Sequence, residues 1–384
     1  MGHKNILQGR IMKINTQNLD LSCLFTLLII SLTMIAGPQP AWADIITEVD
    51  SSSSASSAPD LELAKLDITH AISEVREAIA KVRQGQYEVA VPVLQKYALR
   101  SDIKAAYVLA KLYRLGLGVK TSDEIAAGYL IANADAGHTP SMISLAEIQE
   151  QAQPAEALKN YKKAEAKGDS AANVKLGDIY ERGLLGEEAN PKLAFSNFEE
   201  AAKGNLPQGH YRLALCYEKG IGTSPNELLA TRSFLKSATQ GHVPAQLAMA
   251  IRYHEGKGLE KDSIAGFGWL TQASQNGSTE AMVLLGRLYE TGDIIKPNLD
   301  LAGQWYSNAA KRKHPTGQLY LGLMYANGKG TPQDLVRAYT LLYRSAKSLP
   351  IAKEALEKLE PNLSDQQKEQ VKKIISEAEA KQAG

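Results

Sequence analysis

A tyrosine returns at an almost fixed interval along this chain: Tyr180, Tyr217, Tyr253, Tyr289 and Tyr325 follow one another in steps of 37, 36, 36 and 36 residues. Tyr113 stands one 36-residue and one 31-residue step earlier, with Gln149 at the intermediate position. A period of that length marks a solenoid of stacked helix pairs, in which each unit buries its apolar face only against its neighbours. An array of this kind presents a surface rather than an enclosed pocket. The period therefore constrains function as well as fold.

Alignment on the tyrosine exposes a packing pattern. Eight residues before it stand small side chains, from Ala105 through Ala172 and Gly209 to Gly317, and three before it stand Ala110, Ala146, Gly177, Ala214, Ala250, Gly286 and Gly322. Four before it the residue is always large and apolar, from Leu109 to Leu321. Small positions let a neighbouring helix approach, and the large ones fill the space between. A second helix follows in each unit, carrying an aromatic (Tyr129, Tyr161, Phe198, Phe234, Trp269 or Trp305) and then alanines. The glycines after it, Gly137, Gly168, Gly204, Gly241 and Gly277, suit the left-handed conformation that stops a helix. No alternating strand pattern appears. The expectation is an all-α, right-handed superhelical solenoid of stacked antiparallel helix pairs.

Outside the array the chain reads as a leader, a tether and two caps. Basic residues precede an uncharged apolar run from Leu21 to Ala36, and Ala41-Trp42-Ala43 supplies small residues for cleavage after Ala43. That run is shorter than the about 20 residues of a spanning helix, so residues 1–43 are expected to be a cleaved export signal rather than a stable membrane anchor. Residues 44–59 are serine-rich and read as a flexible linker. Residues 60–104 carry two amphipathic patterns, expected to form a capping helix pair. Seven repeats are expected over 105–350, the second one short. Capping helices are expected over 351–384, where Ser364 and Gln367 make a capping box.

The loop after the first helix often holds a glycine pair, as in Gly116/Gly118, Gly220/Gly222, Gly256/Gly258 and Gly328/Gly330. With Leu285-Gly286-Arg287-Leu288-Tyr289 before such a loop and Trp305 to Ala310 after it, the chain resembles the Sel1-like repeat family, relatives of the tetratricopeptide repeats. The resemblance implies a non-catalytic scaffold for protein partners. Exported members of that family act in exopolysaccharide assembly, envelope signalling, flagellar motors or host interaction. An exported, periplasmic adaptor with a partner in the cell envelope is the expected role. A glycan- or peptidoglycan-binding protein and a secreted host-interacting factor remain open beside it.

Charge and chemistry narrow the field further. Beyond residue 43 the chain holds 40 basic and 41 acidic side chains, which gives no electrostatic reason to bind nucleic acid or an anionic membrane. The glycine pairs follow a helix rather than a strand and recur, so they read as turns and not as phosphate loops. His138, His242 and His314 share one slot but lie in different repeats, too far apart for one metal ion. Cys216 fills a slot held in other repeats by Leu112, Ile148, Ile179, Leu288 and Met324, and with Cys23 in the leader it has no disulfide partner. No nucleophile–base cluster of a hydrolase is visible, and no catalytic, cofactor or metal site is assigned. The candidate partner face is the outward side of the first helices, five and two residues before the tyrosine. It comprises Lys175, Asp178, Arg212, Leu215, Ile251, Leu284, Arg287, Tyr320 and Leu323, apolar groups beside arginines.

Overall fold

The computed structural model describes residues 62–383; the expected leader, its cleavage point and the serine-rich linker lie outside the described residues. The described residues divide into two compact units at Pro225/Asn226, each treated below by itself. All their regular structure is helical.

The first unit opens with α1 (Glu62–Arg83) and α2 (Tyr87–Ala98). Then come α3 (Ile103–Leu115) with α4 (Asp123–Asp135), α5 (Thr139–Gln149) with α6 (Pro154–Ala166), and α7 (Ser170–Arg182) with α8 (Pro191–Lys203). It closes with α9 (Pro207–Lys219). The second unit runs through α10 (Glu227–Thr239), then α11 (Val243–Glu255) with α12 (Ser263–Gln275), and α13 (Thr279–Thr291) with α14 (Leu299–Lys311). After α15 (Pro315–Asn327) and α16 (Leu335–Ala346), it ends with α17 (Pro350–Leu359), a short 3-10 turn and α18 (Asp365–Ala383). Within each unit most helices pack chiefly against a neighbour in the chain, as a stack of antiparallel pairs requires.

Helix starts are set by side-chain caps. Ser122, Asn190, Asn226, Asp262, Asn298 and Asp334 precede second helices, and each accepts a hydrogen bond from a first-turn backbone N–H at 2.9–3.2 Å. A cap of this kind contributes about 1 kcal/mol. All of these but Asn226 also close the loop behind them. The backbone N–H of Ser122 donates to the Tyr113 carbonyl at 3.0 Å, that of Asp262 to Tyr253 at 2.9 Å, that of Asn298 to Tyr289 at 2.7 Å and that of Asp334 to Tyr325 at 3.0 Å. The recurring tyrosine thus marks one side of a closed loop, and its own ring is only half-buried.

The core position is another one. Midway along each second helix sit Leu130, Tyr161, Phe198, Phe234, Leu270, Tyr306 or Leu342, each exposed by 3% or less. The expected second-helix aromatic row therefore splits. Tyr161, Phe198 and Phe234 occupy this slot, whereas Tyr129, Trp269 and Trp305 stand one residue earlier and are only partly buried. The slot explains why the position three before the tyrosine is small. A Cβ on Gly177 would lie 2.4 Å from the Phe198 ring, and one on Gly286 would lie 2.5 Å from the Tyr306 ring. Where the plug is Leu130 or Leu270, the opposing small residue is Ala110 or Ala250 in the same core cluster. The rule is not general: the short pair α5–α6 combines Ala146 with Tyr161, and Gly322 faces Leu342.

The second glycine of each loop rests on the first turn of the preceding second helix. A Cβ on Gly222 would fall 2.1 Å from the Pro191 carbonyl oxygen, and one on Gly258 would fall 2.3 Å from that of Glu227, so both approaches need a residue without a side chain. One expected helix stop is corrected. Gly204 has φ −70° and lies at the end of α8, while Asn205 takes the left-handed conformation at φ 58°. An asparagine tolerates that region through its short polar side chain. At the C-terminus the capping box forms, with Ser364 N–H donating to Gln367 Oε1 at 2.9 Å and Gln367 N–H to Ser364 Oγ at 3.3 Å.

Candidate interaction surface

The position five residues before the tyrosine, and the one two before it, lie along the seam between consecutive first helices. The two units fill that seam with different chemistry. In residues 62–225 it is ionic. Glu147 on α5 takes Arg114 of α3 at 2.8 Å and Lys175 of α7 at 2.6 Å. Burial alone would raise the Glu147 carboxyl, but Lys175 and Arg114 outweigh it and hold the group below its ordinary value. One repeat further on, Arg212 of α9 pairs with Asp178 and Glu181 of α7. Its guanidinium also covers the Phe198 ring at 4.6 Å from the centroid. Burial raises the Asp178 carboxyl and prevails over the attraction of Arg212. These side chains are partly exposed: Lys175 by 37%, Asp178 by 24% and Arg212 by 22%. Leu215 beside them is half-buried. The first-helix side of this unit is therefore a row of alternating charges that reaches solvent.

In residues 226–383 the same register is closed. Ile251 is 5% exposed, Leu284 1%, Arg287 4% and Tyr320 5%, and only Leu323 is half-buried. The expectation that these residues form an outward apolar face is corrected. Ile251 joins Leu247, Leu284 and Leu288 in one core cluster, because apolar side chains at the seam bury one another when neighbouring first helices meet. Arg287 is enclosed as well. Its guanidinium lies over the Tyr320 ring at 5.2 Å and its Nη1 is 3.6 Å from Glu290, which in turn accepts the Tyr306 hydroxyl at 2.8 Å.

A further buried arginine went unread in the sequence. Arg252 on α11 is 2% exposed, in the slot held elsewhere by Leu112, Ile179, Cys216, Leu288 and Met324. It donates to Thr231 Oγ1 at 2.8 Å and to the Glu227 carbonyl at 3.2 Å, and pairs with the Glu227 carboxylate. Thr231 Oγ1 itself donates to the Lys257 carbonyl at 2.9 Å. Arg252 thereby ties the 256–262 loop to the start of α10. Its signal was available: a lone charged residue in an otherwise apolar column.

None of this is reactive chemistry. Cys216 is 1% exposed, and burial, followed by the Glu181 carboxylate, pushes its thiol up to about 12. Among the described residues no group of three or more His, Cys, Asp or Glu side chains is placed to hold a metal ion. Among the same residues no helix is long and apolar enough to cross a membrane.

Paired helices stacked through small-residue grooves, with a polar row along the first helices of residues 62–225 only, define an all-α repeat solenoid. The chain belongs to the Sel1 repeat family, whose pattern matches residues 103–138, 170–206, 207–242, 243–278, 279–314 and 315–348. The unmatched stretch 139–169 holds α5 and α6, joined by residues 150–153 in place of a glycine loop. Among solved structures, a Sel1 repeat protein from Oxalobacter formigenes is 25% identical, with a TM-score of 0.58 over 77% of this chain and 89% of that one. The protective antigen c5321 of uropathogenic Escherichia coli, 22% identical with a TM-score of 0.54, covers 84% of this chain and 72% of its own, and shares the fold. By sequence, the chain is 31% identical over 159 residues to an uncharacterised protein of Neisseria meningitidis serogroup B, spanning 41% of this chain and 34% of that protein. It is 35% identical over 146 residues to the chitin synthase regulator SKT5 of Saccharomyces cerevisiae, spanning 35% of this chain and 20% of the regulator. The chain thus spans about a third or less of these two relatives.

Proposed function

We propose that this protein is a non-catalytic, exported scaffold that binds another protein of the cell envelope through the first-helix side of residues 62–225. Membership of the Sel1 repeat family is consistent with an interaction scaffold. The observation that carries the reading is the partly exposed charge row from Arg114, Glu147 and Lys175 to Asp178, Glu181 and Arg212. Charged rows of this kind set partner choice and encounter rate more than raw affinity. Export rests on the basic-then-apolar pattern of residues 1–43. The likeness to a chitin synthase regulator favours a partner from a polysaccharide-assembly system.

A pull-down from envelope extract tests this, comparing the native protein with a Lys175→Glu/Arg212→Glu variant whose helicity is checked by circular dichroism. Loss of one partner band in the folded variant supports the scaffold reading. Unchanged recovery sinks the site. Pelleting of the purified protein with peptidoglycan or polysaccharide alone would instead favour direct glycan binding.

A further inference from the structure

Seven first helices begin at one equivalent cap position: Asp102, His138, Asp169, Leu206, His242, Ser278 and His314. The acidic and serine caps accept a first-turn backbone N–H in the usual way, Asp102 from Ala105 at 2.8 Å, Asp169 from Ala171 at 2.9 Å and Ser278 from Ala281 at 3.1 Å. His138 and His242 hold this position without a side-chain cap hydrogen bond, whereas His314 caps its helix with a ring nitrogen, Nδ1 accepting from the Gly317 N–H at 3.3 Å. An imidazole can accept there only while that nitrogen carries no proton. A protonated ring would put a cation at the positive end of the helix dipole, where an anion is preferred.

The surroundings of each histidine favour the neutral ring. His138 is half-buried, with Nδ1 2.8 Å from Ser141 Oγ and its ring edge-on to Tyr107 at 5.3 Å. Burial lowers its pKa; Asp169, ahead of α7, pulls the other way, and Lys104 of α3 adds to the lowering. The Lys167 ammonium at the end of α6 lies beside the adjoining Gly137. For His242, between α10 and α11, burial takes the ring down to about 4. Around His314, burial also lowers the pKa, opposed by Glu280 of α13, whose Oε1 is 3.9 Å from Nε2 and 33% exposed to solvent. Arg312 and Lys313 adjoin it on the chain.

The geometry points to a pH-sensitive device in the array: acid protonates His314, breaks the cap it gives the Gly317 N–H and loosens the start of α15, while the Asp- and Ser-capped junctions hold. The sign follows from linkage. A ring whose folded pKa lies below its ordinary 6.5 takes up a proton more readily in the opened state. The closed junction is then fully stable above about pH 6.5, the ordinary value. That stability is lost as pH falls from there toward the folded pKa, with the opening constant rising up to about tenfold per pH unit. The proposal does not depend on what the surface binds.

Hydrogen exchange with site resolution tests it within one molecule. Protection factors, corrected for intrinsic exchange, are compared at pH 7 and pH 5 for first-turn amides of α15 against those of α3, α7 and α13. Protection should fall selectively at α15, and a His314→Ser variant, using the cap already present at Ser278, should lose that selectivity. An equal fall at both sets overturns the proposal, as does the same selective fall in the variant. Should the variant fail to fold, proton titration of the native ring decides: a value at or above 6.5 for His314 refutes it.

Discussion

The sharpest consequence of the packing is that Gly177 and Phe198 are one unit. A methyl group on Gly177 would meet three Phe198 ring atoms at 2.4, 2.6 and 2.8 Å. The ring has nowhere to go, being 0% exposed with the Arg212 guanidinium over one face at 4.6 Å. Gly177→Ala gains about 1 kcal/mol of helix propensity but overpacks a core at a cost of about 1–3 kcal/mol. With the ring pinned, a net loss of about 1–2 kcal/mol is expected. Phe198→Leu alone underfills the site and loses the arginine contact, about 2 kcal/mol together. The double variant recreates the alanine–leucine pairing of Ala110 with Leu130 and Ala250 with Leu270. It should therefore be at least about 1 kcal/mol more stable than the sum of the singles, within the usual range for contacting residues. Urea denaturation followed by circular dichroism, with exchange of α7 and α8 amides as the local readout, supplies the cycle. Additivity within about 0.5 kcal/mol, the behaviour of independent sites, would refute the plug-and-groove account.

Three more outcomes follow from single positions. Gly128 and Gly268 lie inside α4 and α12 with nothing within 4 Å of a built Cβ, so Gly128→Ala and Gly268→Ala should each stabilise by about 1 kcal/mol, read as a raised urea midpoint. Arg252→Met restores the apolar type found at equivalent positions and should stay within about 1.5 kcal/mol of native, whereas Arg252→Ala leaves a cavity and should lose about 3 kcal/mol by the same measurement. The depressed Glu147 carboxyl gives stability that is fully present above its ordinary 4.5 and lost as pH falls through its folded value, so native and Glu147→Gln midpoints should converge as pH falls below 4.5.

The class of fold was legible because a repeat writes its core many times. The column of Ala110, Gly177 and Gly286 announced close packing before any partner was known. The depth of each column was less legible. Tyrosine recurs more strictly than the second-helix plug, yet Leu130, Phe198 and Tyr306 are the fully buried residues. The plug varies between leucine and aromatic residues, and only in some pairs does its groove partner vary with it, as Gly177 with Phe198 against Ala110 with Leu130, so no single-residue signature results. The candidate face misled for a related reason. Helical spacing placed Lys175 and Leu284 at one register, but exposure there depends on how closely successive first helices approach. Ion pairs leave that seam partly open in residues 62–225, and apolar contact closes it in 226–383.

Photo-crosslinking tests the central claim most directly, that the first-helix side of residues 62–225 meets a protein partner. A crosslinkable residue is placed in turn at Lys175 and Leu215 on that side, and at Ile131 and Leu193 on second helices, which are 49% and 44% exposed. The account predicts one and the same adduct from the first two positions in intact cells, weakened by Arg212→Glu. Adducts confined to positions 131 and 193, or none from any of the four, would contradict it.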